Sequence, residues 1–101
     1  MKLYSLTTIG PAFTQRTRCV GVYTNVAQAM LDVLNNGFDI YEEGYYPLAV
    51  IESFESDCVY GLGEEIGQQF WFEWVETAVS KGYVEIPRPE FYKNVVGFGV
   101  G

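Results

Sequence analysis

The sequence predicts an α+β domain in which a mainly antiparallel β-sheet carries one principal helix, at about residues 26–36, on one face. Two observations favour this class. Segments of strand-type composition follow one another through short turns, and one capped apolar stripe of helical period interrupts them early. A short C-terminal helix is expected at about residues 89–96, because Pro89 suits a first helical turn. The whole chain, residues 1–101, is expected to form a single globular domain.

The first two predicted strands lead directly into the helix. Residues 2–9 are rich in β-branched and aromatic types and end at a Gly-Pro turn, and residues 16–23 form the second strand. Asn25 is a good N-cap, and Gln28 follows three residues later, as in a capping box. Gly37 is free to take the left-handed conformation that ends a helix. One apolar stripe is expected to pack on the sheet, and it consists of Ala27, Met30, Leu31 and Leu34.

Four more strands complete the predicted sheet. Residues 38–43 favour a short strand, residues 48–60 the longest one and residues 69–77 a strongly aromatic one. The last strand is expected at residues 83–86, after a Lys-Gly turn. The glycine-rich loop at residues 61–67 lacks the Lys-Ser/Thr pair of a phosphate-binding loop, so it is either a hairpin tip or a loop that contacts a partner.

Burial favours one register between the two longest predicted strands. Pairing Phe54 with Trp74 places the apolar side chains of the predicted strand 48–60 on the same face as the aromatic side chains of the predicted strand 69–77. Pairing Cys58 with Phe70 belongs to the same register. The other face of this predicted hairpin is then polar and acidic.

The acidic residues of the polar face would be stabilised by a nearby cation. Glu55 lies opposite Glu73 in this register, and like charges directly opposite one another are destabilising. A neighbouring Lys or Arg, a basic partner or a hard metal ion would each relieve the repulsion, although no loop has the ligand spacing of a calcium site. A solvated polar face is the simpler alternative. The expected partner-binding residues are Glu55, Asp57, Trp71 and Glu73, with Glu64 and Glu65 on the adjacent loop.

Charge is distributed very unevenly. The net charge is −7, and the stretch between Arg18 and Lys81 holds eleven of the thirteen acidic residues and no basic residue. Such a stretch would repel nucleic acid and anionic membranes, so neither is an expected partner. Either the acidic residues pair with the basic ends of the chain, or they form a face that recognises a basic protein, in the extreme case by mimicking nucleic acid.

The residue types argue against catalysis. The chain has no histidine, which is the commonest general base and metal ligand, and Cys19 and Cys58 are expected to be buried structural thiols. No cofactor or metal site is expected. Because paired carboxylates also serve hydrolases, the alternative is a small-molecule-binding or carboxylate-based hydrolytic domain. A cleft that gathered Glu52 with Glu55 or Glu73 would favour it.

Composition also bears on location and association. No apolar run reaches the roughly 18 residues that span a bilayer, no signal-peptide pattern opens the chain, and two cysteines do not make a disulfide scaffold, so we expect a cytoplasmic protein. Eight Tyr, seven Phe and two Trp exceed the needs of one small core. Trp71 and Tyr45 are therefore expected at the surface, where they could form a homodimer interface.

Three stretches carry a resemblance: residues 18–29 (RCVGVYTNVAQA), 46–52 (YPLAVIE) and 69–74 (QFWFEW). Together they resemble small uncharacterised proteins of bacteria and of phage or prophage regions. In these proteins a strand leads through Gly-Val-Tyr/Phe and a polar cap into an Ala-containing helix and an acidic strand. The resemblance covers about residues 16–90 and implies a bacterial or phage cytosolic protein that acts by binding other proteins. We expect a non-enzymatic interaction module with an acidic and aromatic face for a basic partner, and a modulator encoded by a phage or prophage is one form that it could take.

Overall fold

Five antiparallel strands and one α-helix form the part of the chain that the computed structural model describes, residues 2–11, 16–55 and 68–90. The strands form one sheet in the order β2-β1-β3-β4-β5, which places β1 and β3 at its centre. The predicted α+β class, with an antiparallel sheet and a helix packed on it, is confirmed. The elements are β1 Lys2–Ile9, β2 Thr17–Tyr23, α1 Val26–Leu34, β3 Leu48–Glu55, β4 Gln69–Glu76 and β5 Lys81–Ile86.

The pairing of β1 with β3 assigns the central residues to the two faces of the sheet. Eight consecutive residues of each strand pair without a register shift. Because successive side chains of a strand point to opposite faces, Leu6 and its partner Ile51 lie on the side where α1 packs, which we call the helix face. Ser5 and its partner Glu52 lie on the opposite side, which we call the far face.

The helix packs through a different stripe from the predicted one. Ala29 and Val33 are fully buried, and Val26 and Met30 pack against the same core. Helical periodicity could not choose between the two stripes, because α1 is apolar around most of its circumference. The predicted packing is wrong for three residues of the predicted stripe, because Ala27, Leu31 and Leu34 are exposed.

Polar contacts fix the start and the rotation of α1. The side chain of Asn25 accepts hydrogen bonds from the backbone N–H groups of Ala27, at 2.8 Å, and Gln28, at 3.3 Å, so the predicted N-cap is confirmed. The hydroxyl of Tyr23 on β2 donates to the Asp32 carboxylate at 2.7 Å. This bond holds the Asp32 side of the helix towards β2.

The predicted strand at residues 38–43 is wrong. Two short 3₁₀ turns, Gly37–Asp39 and Glu42–Gly44, occupy this stretch. The helix ends at residue 34 rather than 36, and Asn36, with φ of 48°, takes the left-handed conformation that the sequence assigned to Gly37. Asparagine can replace glycine at such a position because its short polar side chain bonds to nearby backbone.

The register between β3 and β4 also differs from the prediction. Trp71 pairs with Val50, and the backbone N–H of Trp74 donates to the carbonyl of Pro47. The sequence predicts that Trp74 pairs with Phe54. In the structure, β4 is therefore displaced along β3 by seven residues relative to the predicted register. A displacement by an odd number of residues moves every side chain to the other face. The acidic cluster derived from the predicted register therefore does not form.

The far face combines an apolar cluster with buried polar residues. Ile9, Val50 and Trp71 form the apolar cluster. Ser5 and Thr7 on β1 are fully buried, and within the described residues their hydroxyl oxygens have no hydrogen-bond partner. A buried polar group without a partner costs about 1–3 kcal/mol, so the far face is less stable than an apolar one would be.

Several predicted features lie outside the described residues. These are the distal part of the predicted strand 48–60, the loop at 61–67 and residues 91–96 of the predicted C-terminal helix. Pro89 and Glu90, the first two residues of that helix, are described and are not helical. Among the helices that the structure describes, none has the length and apolar character needed to traverse a bilayer.

Mutation separates the two apolar stripes of α1. Val33→Ala removes two methyl groups from a fully buried position, so the free energy of unfolding should fall by about 2 kcal/mol. Leu34→Ala truncates a half-exposed side chain and should lower it by less than about 1 kcal/mol. Urea denaturation followed by circular dichroism measures both. A larger loss for Leu34→Ala would show that the stripe predicted from the sequence is the packed one.

Tyr23 links stability to pH. Burial and the adjoining Asp32 carboxylate raise the pKa of the Tyr23 phenol from 10.0 to about 12. The unfolded chain loses this proton first, so the stabilisation is complete below about pH 10 and is lost as the pH rises through about 12. Tyr23→Phe should lower the free energy of unfolding at neutral pH and flatten its decline between pH 10 and 12. Urea denaturation across this range tests it, and an equally steep decline in the variant would contradict it.

Candidate functional site

The residues that follow α1 form an acidic loop, residues 36–45, that is anchored on the helix face. Ile40 is buried in the core beneath the loop. The ring of Tyr41 stacks on Trp74 of β4, with ring centroids 3.7 Å apart and planes inclined by 7°. The Asn36 side chain accepts a hydrogen bond from the backbone N–H of Tyr41 at 3.0 Å. The middle of the loop is therefore held by apolar, aromatic and polar contacts together.

Tyr83 of β5 fixes the end of the acidic loop to the sheet. Its hydroxyl donates to the backbone carbonyl of Tyr46 at 2.6 Å, and its ring meets Tyr41 and Trp74 edge-on. Burial raises the pKa of Tyr83, and the negative charges that Tyr41 and Asp39 can carry add to the rise. The phenol is thus a neutral hydrogen-bond donor at physiological pH.

The backbone of the acidic loop turns a phenylalanine and several carboxylates towards solvent. Phe38 has φ of 54° and a fully exposed side chain. Non-glycine residues rarely adopt this left-handed conformation, which costs roughly 1–2 kcal/mol for each residue. Strained backbone of this kind concentrates at functional sites. Five non-glycine residues of the loop have positive φ, namely Asn36, Phe38, Asp39, Glu42 and Glu43.

Two arginines at the start of β2, Arg16 directly before the strand and Arg18 within it, support the base of the loop. Arg18 Nη1 lies 2.5 Å from Glu42 Oε1, and its guanidinium lies over the Tyr46 ring, 4.8 Å from the centroid. Arg16 lies over the Tyr45 ring at 5.3 Å and donates to the Tyr45 hydroxyl. Internal pairing with the basic flank, one of the two interpretations of the charge pattern, therefore holds for Glu42.

A carboxylate also contacts the stacked rings. Trp74 Nε1 donates to Glu76 Oε1 at 2.9 Å, and the Glu76 charge contributes, after burial, to the raised pKa of Tyr41. Asp39 and Glu43 are exposed, and no arginine of the described residues pairs with either. We call Phe38, Asp39, Glu43, Trp74 and Glu76 the acidic-aromatic patch. It combines an apolar anchor and negative charge on the acidic loop with a rigid aromatic base on β4, to which the loop is attached through Tyr41.

The structure does not bring the predicted site residues together. Glu55 lies opposite Lys2 on β1, so the chain itself supplies a cation beside it. Glu73 is exposed on the far face, whereas Glu55 belongs to the helix face. Trp71 is 1% exposed, so its predicted place on the surface is wrong, whereas the predicted exposure of Tyr45 is confirmed. Three predicted residues lie outside the described part of the chain, namely Asp57, Glu64 and Glu65.

The sequence contained a signal for the acidic loop that the strand prediction overlooked. Residues 38–40 alternate apolar and acidic side chains as a strand does, but the alternation ends at Tyr41-Glu42-Glu43. Asn35-Asn36-Gly37 precedes them and Gly44 follows, and such residues punctuate turns. Because strand alternation lasts for only three residues within a segment enclosed by turn residues, residues 38–43 are better interpreted as a loop.

The described residues offer little for metal or thiol chemistry. They contain no group of three or more His, Cys, Asp or Glu side chains placed to hold a metal ion. Cys19 is half-buried and donates to the carbonyl of Gly21 at 3.6 Å. Burial raises the pKa of its thiol, and the charge of Glu52 adds to the rise. A thiol held in its protonated form is a poor nucleophile.

Comparisons of the chain with protein-family models, with curated proteins and with solved structures each find no match. The resemblance to small bacterial and phage proteins stays a prediction. The acidic-aromatic patch is the feature from which we infer a function.

Proposed function

We propose that this protein is a non-enzymatic interaction module that binds a basic protein through the acidic-aromatic patch. The observation that supports the proposal is Phe38, a fully exposed aromatic side chain held outward by left-handed backbone. Burying such a side chain contributes about 1.5–3 kcal/mol, so its exposure forgoes stability in the free protein. Insertion of Phe38 into a partner would recover that free energy.

Charge complementarity defines the partner. Asp39 directly follows Phe38 in the chain and Glu43 lies in the same loop, both carboxylates are exposed, and the protein carries a net charge of −7. The complementary surface is an apolar pocket bordered by Lys and Arg side chains on another protein. A second copy of this chain would bring two acidic patches together, so homodimerisation through the patch is disfavoured.

Anchoring of the acidic loop favours binding. The stack of Tyr41 on Trp74 and the hydrogen bond from Tyr83 to Tyr46 hold the loop in place before any partner arrives. A preorganised loop loses less conformational entropy on binding than a flexible one. Electrostatic attraction would accelerate the encounter, and salt would weaken it because exposed charges are screened beyond about 8 Å at physiological ionic strength.

The alternative of a carboxylate-based hydrolytic domain is less well supported. Glu52 and Glu73 share the far face, but Glu73 pairs with Leu48, which lies four residues from Glu52 along β3. The two carboxylates are therefore separated by about 13 Å along the strands. The carboxylates of glycosidases lie about 5–9.5 Å apart. Glu55 belongs to the other face. We also propose a cytoplasmic setting and a bacterial or phage origin. The composition of the chain supports the first, and the resemblance over about residues 16–90 supports the second.

Matched variants test the proposed binding surface. The immobilised protein captures partners from an extract of cells that produce it, and each captured protein is purified and titrated by calorimetry at low and high salt. Phe38→Ala should weaken binding by about 30-fold, as for an interface anchor worth about 2 kcal/mol. Val79→Ala, at an exposed position in the turn between β4 and β5, should leave binding unchanged.

Charge reversal separates the acidic-aromatic patch from the face predicted by sequence. Glu43→Lys should weaken binding and reduce its salt dependence, because it places a cation in the acidic loop that carries Phe38. Glu73→Lys makes the same change at an exposed position on the far face and should have little effect. Equal losses from the two reversals, wild-type affinity in Phe38→Ala, or the absence of any salt-sensitive partner would each contradict the proposal.

A further inference from the structure

The side of α1 that faces away from the core is apolar and exposed. Leu31 is 52% exposed and Leu34 is 49% exposed. Ala27, one turn before Leu31, is exposed as well. Because residues three and four apart are neighbours on a helix surface, these three side chains form one continuous patch, which we call the outer stripe. Scattered exposed apolar residues are ordinary, whereas neighbouring ones mark surfaces at which proteins associate.

The outer side of α1 is also uncharged. The helix contains one charged residue, Asp32, whose carboxylate accepts hydrogen bonds from the Tyr23 hydroxyl and from the Gln28 amide. The protein as a whole carries a net charge of −7, so two copies repel one another through their acidic surfaces. The repulsion is smallest where neither surface carries a charge, which favours approach through the outer side of α1.

The outer side of α1 is complementary to itself about Leu31. The helical period places Ala27 and Leu34 on one flank of Leu31. It places the exposed amides of Gln28 and Asn35 on the other flank. When two such helices pack antiparallel about a two-fold axis at Leu31, Ala27 of one copy meets Leu34 of the other, and the two kinds of amide meet in the same way. A small side chain opposite a large one lets the two helices pack closely.

We propose that the outer stripe is a homodimer interface in which α1 packs antiparallel against α1 of a second copy. The acidic loop follows the C-terminus of α1, so a parallel pair would place two acidic loops side by side, whereas an antiparallel pair places them at opposite ends. The outer stripe shares no residue with the acidic-aromatic patch, so the dimer is independent of the interaction proposed for Phe38. It would present two copies of the patch to a partner and so raise the avidity of that interaction.

The size of the outer stripe determines the strength of the dimer. The nine residues of α1 extend over about 14 Å, so the helix pair buries less than the roughly 800 Å² per partner of a stable interface. The dimer is therefore weak, with a dissociation constant on the order of 100 µM. This interface differs from the one expected from the sequence, which used Trp71, a buried residue. A charged partner would find no opposite charge on the outer side of α1, whereas a second copy is uncharged there itself.

Sedimentation equilibrium of the full-length protein tests the proposal. The protein should be monomeric at about 10 µM and mostly dimeric at about 1 mM. Salt should strengthen the dimer, because it screens the repulsion between two copies that each carry −7. Binding of a basic partner through Phe38 should respond to salt in the opposite direction, so the two proposals can fail separately.

A matched pair of substitutions locates the dimer interface. Leu31→Gln keeps the net charge and a residue that favours helix, and it should weaken dimerisation by more than about tenfold. Val79→Gln makes a similar change at a position that is 94% exposed in the turn between β4 and β5, and it should leave dimerisation unchanged. Circular dichroism of both variants checks that the fold is retained.

An exchange of side chains tests the antiparallel geometry. Ala27→Leu should weaken dimerisation by about tenfold, because the new leucine would collide with Leu34 of the second copy. Combining it with Leu34→Ala exchanges the large and the small side chain and should restore the dissociation constant to within about threefold. Non-specific apolar adhesion would instead be strengthened by Ala27→Leu. A monomer at about 1 mM, tighter association of Ala27→Leu, no recovery in the double variant, or equal effects of Leu31→Gln and Val79→Gln would overturn the proposal.

Discussion

The pairing of β1 with β3 at the centre of the sheet is the constraint on which the rest of the structure depends. It places Leu6 and Ile51 on the helix face and Ser5 and Glu52 on the far face, and a slip of one residue would exchange the two sets. The helix would then meet hydroxyls and a carboxylate instead of an apolar surface. Because both strands are buried on both faces, the free energy lost in such a slip would be large, and the register is correspondingly well determined.

The two faces carry different chemistry as a consequence of this register. On the helix face, the stacked rings of Tyr41 and Trp74 connect the sheet to the acidic loop, so the rigidity of the strands extends to an exposed segment. Arg18 neutralises Glu42 at the base of that loop and Arg16 lies over Tyr45, so the exposed negative charge of the loop is left on Asp39 and Glu43. The far face instead keeps its polar groups inside, where each needs a hydrogen-bond partner.

Much of the fold follows from local chemistry and could be predicted from the sequence. The Asn25 cap and the strand compositions depend on neighbouring residues alone. The register between β3 and β4 could not be predicted, because residues 48–51 and 70–72 are apolar on both faces and alternation does not select one. The stripe of α1 that packs on the sheet could not be predicted either, because the helix is apolar around most of its circumference. The sequence indicated that acidic and aromatic residues occur together, but where they meet depends on the register between β3 and β4. The exposed position of Phe38 could not be predicted, because local propensities disfavour left-handed backbone at such a residue.

The register between β3 and β4 is also where the account is most directly tested, because it decides whether Trp71 is buried and whether the acidic residues of the two strands face one another. Nuclear Overhauser contacts between backbone protons of directly opposed residues measure it in solution. The structure predicts contacts between Val50 and Trp71. Contacts between Phe54 and Trp74 would instead place Glu55 opposite Glu73, expose Trp71 and contradict the assignment of faces on which the acidic-aromatic patch depends.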